Sequence, residues 1–111
     1  MNPILNTELV LEQPQRISDG GGGFQTEWQP IGTLWAEVAS VRAGERLAGE
    51  REVATATHRI IIRNAPPGSP RRPRATCRFR SGDRTFAIRG VAPADLRGKY
   101  LTCWAVEDPF G

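Results

Sequence analysis

Glycine and proline interrupt this chain too often for long helices, with 12 Gly and 9 Pro among 111 residues. What lies between the interruptions is short and β-like. In Leu34-Trp35-Ala36-Glu37-Val38 the residues Leu34, Ala36 and Val38 share one face, opposite Trp35 and Glu37, which is the period-two alternation of a strand. The run Thr57-His58-Arg59-Ile60-Ile61-Ile62-Arg63 places Ile60 and Ile62 on one side and Ile61 on the other. A two-residue Gly82-Asp83 loop predicts a tight hairpin that pairs Ser81 with Arg84, Phe79 with Phe86 and Cys77 with Ile88. That hairpin is apolar on one face and basic on the other, where Arg78, Arg80 and Arg89 fall.

Strands are also expected over residues 7–16, 33–41, 53–63 and 100–107, with a short run beginning at Trp28 and closed by Pro30. The four glycines at 20–23 make residues 17–25 a flexible connection. Residues 42–55 are a polar excursion. Residues 64–74, with four prolines and Arg71, Arg72 and Arg74, are a stiff basic loop that must project from the scaffold. The whole predicts one all-β domain over residues 1–111, a small antiparallel barrel or sandwich with long projecting loops. Its expected core is Leu11, Trp35, Val38, Ile60, Ile62, Cys77, Phe79, Phe86, Ile88, Leu101 and Cys103. Both cysteines read as reduced core thiols. The first residues lack the basic region and long apolar stretch of a signal peptide, and no run is long enough to span a membrane as a helix, so no membrane partner is expected.

Sequence chemistry points away from catalysis. The glycine run is not followed by the Lys-Ser/Thr of a phosphate loop, and the only lysine is Lys99. A lone His58 has no second histidine for a metal and no nucleophile at elbow spacing. No cofactor, metal site or catalytic residue is therefore expected. The strongest electrostatic signal is Arg71-Arg72-Pro73-Arg74, continued by Arg78 and Arg80. It reads either as a solvated loop or as a surface for phosphate or a neighbouring subunit. The net charge of +3 is too small for a monomer to bind duplex strongly. A ring of identical copies, however, repeats each lumenal arginine in every subunit.

The order of these marks resembles the phage head-tail joining family, also known as head closure or stopper proteins, of siphophages and gene transfer agents. The resemblance covers nearly the whole chain, from a first strand ending near Gln13 and Asp19-Gly20 leading to Trp28, through Trp35-Ala36-Glu37-Val38, Gly44-Glu45, the strand from Thr57 to Arg63 and Gly82-Asp83-Arg84-Thr85-Phe86-Ala87-Ile88. It closes on Leu101-Thr102-Cys103-Trp104-Ala105-Val106-Glu107. It implies a β-barrel assembled as a hexameric or dodecameric ring beneath the portal and adaptor, which closes the channel on packaged double-stranded DNA and offers a docking surface to the tail terminator. It places the protein in the particle neck, and in the bacterial cytoplasm during assembly. It also implies that Arg42, Gly44, Glu45, Arg46, Leu47, Gly49 and Arg51 face the channel. Two features depart from the family pattern: Asn6-Thr7-Glu8 stands where many members are basic, and the loop at 64–74 is richer in proline and arginine. The alternatives are a tail terminator ring and a free-standing barrel that binds single-stranded nucleic acid through Arg78, Arg80 and exposed aromatics.

Overall fold

A computed structural model describes residues 1–41 and 56–108. The expected channel-facing residues Arg42, Gly44, Glu45, Arg46, Leu47, Gly49 and Arg51 lie outside the described residues. Six strands form the fold: β1 (Thr7–Ser18), β2 (Phe24–Ser40), β3 (His58–Arg63), β4 (Arg78–Ser81), β5 (Arg84–Pro93) and β6 (Tyr100–Asp108). They close into a barrel in the order β1-β2-β3-β6-β5-β4, and every neighbouring pair is antiparallel. The short β1–β4 ladder, from Val10 opposite Arg80 to Glu12 opposite Arg78, completes the ring. Closure removes the exposed edges that an open sheet would offer within the barrel.

Alternation fills the interior. Ala36, Ile62 and Leu101 lie side by side across β2, β3 and β6, as do Val38, Ile60 and Cys103. Leu11, Phe79 and Phe86 form the matching row across β1, β4 and β5. All belong to one apolar cluster with Leu9, Cys77, Ile88 and Ala105, and Val38 is packed partly buried against it. Each large side chain buried there contributes about 1.5–3 kcal/mol. Cys77 and Cys103 are free buried thiols. Burial pushes the Cys103 thiol up to about 12, only partly opposed by the charge of Arg72.

Trp35 is not core: it is 55% exposed. A closed barrel has a single interior, and because Leu34, Ala36 and Val38 face it, Trp35 must face out. The hairpin at Gly82-Asp83 has the expected register, Ser81 opposite Arg84 and Phe79 opposite Phe86; the Ile88 N–H donates to the Cys77 carbonyl at 3.1 Å.

Two other segments differ from their sequence reading. First, the two runs expected around Trp28 and at 33–41 are one 17-residue strand. Pro30 and Gly32 do not end it, because β1 and β2 shift register between Leu11 and Glu12, whose partners are Gly32 and Pro30. Ile31 is the extra residue of a bulge, which absorbs the break and turns the ribbon. Residues 17–25 are correspondingly not one flexible connection: β1 runs to Ser18 and β2 begins at Phe24. Second, the loop at 64–74 does not project. Pro73 is among the fully buried side chains, and successive turns fold the segment onto the barrel, Ser69 N–H donating to Pro66 O at 3.0 Å and Arg72 N–H to Ser69 O at 3.1 Å.

What does project is the β1–β2 ribbon. Beyond Glu12, β1 pairs only with β2, from Gln13 opposite Gln29 to Ser18 opposite Phe24. This two-stranded arm extends about 20 Å at ~3.3 Å per residue, in keeping with extents of 50 × 28 × 26 Å.

Candidate functional site

Antiparallel winding brings three features to the same end of the barrel: the loop between β3 and β4, the loop between β5 and β6, and the base of the arm. That end carries Arg63, Arg71, Arg72, Arg74, Arg97 and Lys99, with Asp95 in the β5–β6 loop and Glu12 at the arm's base, the latter bound by Arg78 and Arg80. The opposite end holds the start of β1, the β4–β5 turn and the end of β6. Among the described residues the acids there are Glu8, Glu37, Asp83, Glu107 and Asp108, and the basic side chains are Arg59, Arg80 and Arg84. The described residues are therefore electrically polarised along the barrel axis, basic where the arm emerges and acidic at the opposite end.

The basic end is built, not merely exposed. Arg72 donates to the Ala65 carbonyl at 2.8 Å and to Asn64 Oδ1 at 3.2 Å. Asn64 in turn donates through Nδ2 to the Gly98 carbonyl at 2.8 Å, and its N–H donates to the Lys99 carbonyl at 2.9 Å. Asp95 Oδ1 accepts from the backbone N–H groups of Lys99 at 3.0 Å and Tyr100 at 3.2 Å. Arg71 reaches across to the Thr33 carbonyl of β2 at 3.1 Å, and Arg74 meets Gln13 Oε1 at the base of the arm at 3.5 Å. These arginines thus hold the loop down with part of their donor set, while Arg71 and Arg74 stay exposed to solvent.

Arg78 and Arg80 lie on the outer wall of the barrel, the basic face expected of the hairpin. Both bind Glu12, Arg78 Nε to Oε1 at 2.8 Å and Arg80 Nε to Oε2 at 3.1 Å. The Glu12 side chain is only 6% exposed. Burial pushes its carboxyl up, but the hydrogen bonds and charges of the two guanidinium groups outweigh this and hold it below the usual carboxylate range. Arg78 also lies over the Trp28 ring at 4.3 Å, so its charge is shared between a carboxylate and an aromatic face.

An open cavity of about 400 Å³ sits at the basic end where β2 and β3 part, lined by Leu34, Trp35, Ile62, Ala65 and Pro66 and rimmed by Arg63 and Arg71. The acidic end holds a second cluster. His58 Nδ1 is 2.9 Å from Thr57 Oγ1, whose oxygen accepts the Glu107 N–H at 2.8 Å. His58 Nε2 lies 3.8 Å from Glu107, and the ring packs edge-on against Phe86 at 5.1 Å. Burial lowers the His58 pKa, the Glu107 charge opposing it, so the neutral ring is favoured. Arg84 grips Glu107 with two bonds, 2.8 and 3.1 Å. Thr57 Oγ1 is engaged with a backbone N–H and an imidazole, so this cluster fastens strand ends. Among the described residues, no group of three or more His, Cys, Asp or Glu is placed to hold a metal ion.

The arm presents two faces. Pro14, Arg16, Phe24 and Trp28 continue the outer wall, while Gln13, Gln15, Ile17, Gln25 and Glu27 continue the inner side. Arg16 lies over the Phe24 ring at 4.2 Å, yet Phe24 remains 60% exposed. The tip is fastened by Asp19, whose Oδ1 accepts the N–H groups of Gly21 at 2.8 Å and Gly23 at 3.1 Å. Gly20 and Gly22 in this turn take positive φ, 82° and 86°, the left-handed region that favours glycine.

Sequence reasoning missed Arg63, Arg97 and Lys99 because they are far apart along the chain and meet only through topology. It missed Glu12 because a single glutamate in a strand reads as solvated. The one available signal was position, since a barrel strand that alternates Leu9, Leu11 inward puts Glu12 on the same outer face as Arg78 and Arg80.

The molecule is similar to two solved structures. A chain in the virion of a native gene transfer agent particle is 42% identical, with a TM-score of 0.76 over 99% of this chain and all of that one. The solution structure of protein SF1141 from Shigella flexneri 2a is 25% identical, with a TM-score of 0.71 over 96% of each chain. No curated protein matches the chain significantly. The phage head completion protein model matches residues 2–108, and with nearly the whole barrel and its arm inside that match, this chain belongs to the phage head completion protein family.

Proposed function

We propose that the protein is a structural, non-catalytic ring component at the neck of a phage-like particle. It closes the DNA channel beneath the portal and adaptor after packaging, and presents the surface on which the tail docks. The observation that carries this reading is the 42% identity, end to end, to a chain of a gene transfer agent virion, together with the family match over residues 2–108.

The axial polarity fits such a part. In a ring, the basic end of each barrel is repeated around the circle, so a modest surplus per subunit becomes a strong local field toward DNA or an acidic neighbouring ring. Arg71, Arg72 and Arg74, with Arg63, Arg97 and Lys99, are the residues placed to supply it. Arg78 and Arg80 contribute less, because Glu12 neutralises much of their charge. That same pairing weighs against a free-standing single-strand-binding barrel that would rely on these two arginines.

Residues 42–55 are the proposed channel-facing segment, including Arg42, Gly44, Glu45, Arg46, Leu47, Gly49 and Arg51. Particles assembled without the protein should lose packaged DNA and fail to take up tails. Particles carrying a deletion of residues 44–49 should still incorporate the folded subunit but leak DNA. Retention of DNA and normal tail attachment in both would remove the stopper reading.

A further inference from the structure

Among the described residues, two features of the molecule are left unmatched: an exposed aromatic on a projecting arm and an open apolar cavity at the arm's base. Phe24 is 60% exposed near the tip of the arm. A phenyl ring held in water at the end of a ribbon with no core of its own stabilises nothing in the isolated subunit beyond its contact with Arg16. The cavity of about 400 Å³ at the parting of β2 and β3 is floored by Leu34, Ile62, Ala65 and Pro66, and half-exposed Trp35 forms its lip.

The same molecule cannot join the two. Phe24 and Leu34 lie on one continuous extended strand, so ten residues at ~3.3 Å each hold them about 33 Å apart. A second copy of the chain can. The arm carries Phe24 about 20 Å beyond the barrel end at ~3.3 Å per residue, and the molecule's short extents are 28 and 26 Å, so in a ring of tilted barrels the arm of one copy reaches the base of the next. One charge pair is available: the arm's tip carries the Asp19 carboxylate, beyond the Arg16 that covers one face of Phe24, and the cavity rim carries Arg63 and Arg71. The tip is pre-ordered by the Asp19 bonds to Gly21 and Gly23, which lowers the ordering cost of docking.

We propose that Phe24 on the arm of one subunit seats in the Leu34–Trp35–Ile62–Ala65 cavity of the adjacent copy, with Asp19 facing Arg63 and Arg71. This is a heterologous contact, one patch against a different patch, which is the kind that propagates around a ring and does not stop at a two-fold dimer. It rests on the ring reading above and adds to it the surfaces by which neighbours hold one another.

The test is a disulfide trap in assembled particles. A full-length chain carrying Ser18→Cys, which stands opposite Phe24 on the same face of the arm and leaves the phenyl ring in place, together with Ala65→Cys is incorporated, oxidised and run on a non-reducing gel, beside the two single variants. Cys77 and Cys103 are buried, which keeps them from the oxidant. The expected result is a ladder of covalent oligomers extending past the dimer in the double variant, reversed by reductant and absent from both single variants. A dimer band alone would overturn the propagating contact in favour of a two-fold one. Particles that contain the double variant but yield no ladder would overturn the docking and leave the ring standing. Absence of the protein from particles that assemble normally would overturn the ring itself.

Discussion

The proline-rich loop at 64–74 and the glycine-tipped ribbon at 13–29 behave in opposite ways, and composition points to the wrong one as the projection. The loop looks stiff, basic and bound for solvent. Yet Pro73 is buried in the barrel end, and Arg72 satisfies the Ala65 carbonyl and Asn64 side chain. Proline brings apolar surface with no N–H to satisfy, and arginine brings donors enough to pair the carbonyls of a tight turn, so together they make a good plug. The ribbon has ladder bonds but, beyond Glu12, no third strand beside it, so it stands away from the barrel whatever its tip contains. Projection is decided by what a segment can bury, not by how flexible its residues are.

That contrast can be broken at its strongest point by Pro73→Asp, which buries an unpaired carboxylate under the loop. Urea unfolding should show a loss of about 3 kcal/mol or more. Phe24→Ala on the arm should change the same measurement by less than about 0.5 kcal/mol. Equal losses at the two positions would dissolve the distinction.

The junction between the two regions is Glu12. Glu12→Gln keeps the shape and leaves Arg78 and Arg80 facing a neutral amide, and should cost about 1–3 kcal/mol at neutral pH. The sign of its pH dependence follows from the lowered carboxyl. The stabilisation is complete above the ordinary glutamate value of 4.5 and is lost as pH falls through the folded value. Below pH 4.5 the wild type should therefore lose stability more steeply than the variant, as read by thermal melts across pH 2–6. His58, whose pKa is also lowered, adds a loss of the same sign beginning below 6.5.

Arg72→Ala should cost about 1 kcal/mol through its bonds to Ala65 and Asn64, and should raise proteolysis at 64–74 without touching the arm. Asp19→Ala should have the smallest effect. Global stability stays within about 0.5 kcal/mol, while hydrogen exchange at the Gly21 and Gly23 amides speeds several-fold, because those two lose their acceptor.

Much of the barrel is legible in the sequence. The Gly82-Asp83 hairpin follows from a two-residue turn between alternating runs, and the inward set Leu34, Ala36, Val38 follows from the period of two. That same alternation already places Trp35 outside; its size invites a core assignment that its register forbids. The long β2 is hidden because Pro30 and Gly32 look like strand ends, and only the register shift against Leu11 and Glu12 shows a bulge in their place. The basic end is hidden for a topological reason. Arg63, Arg97 and Lys99 join Arg71, Arg72 and Arg74 only because β3 and β5 end where β4 and β6 begin.

The central claim, that a ring of these polarised barrels forms part of the particle neck with arms bridging neighbours, is tested most directly by electron cryomicroscopy of intact particles bearing a tag on this chain. The account predicts a closed ring of small barrels between head and tail, each arm lying on the next barrel near Leu34 and Ala65. Tag density elsewhere on the particle, or a neck ring that persists unchanged when the chain is deleted, would contradict it.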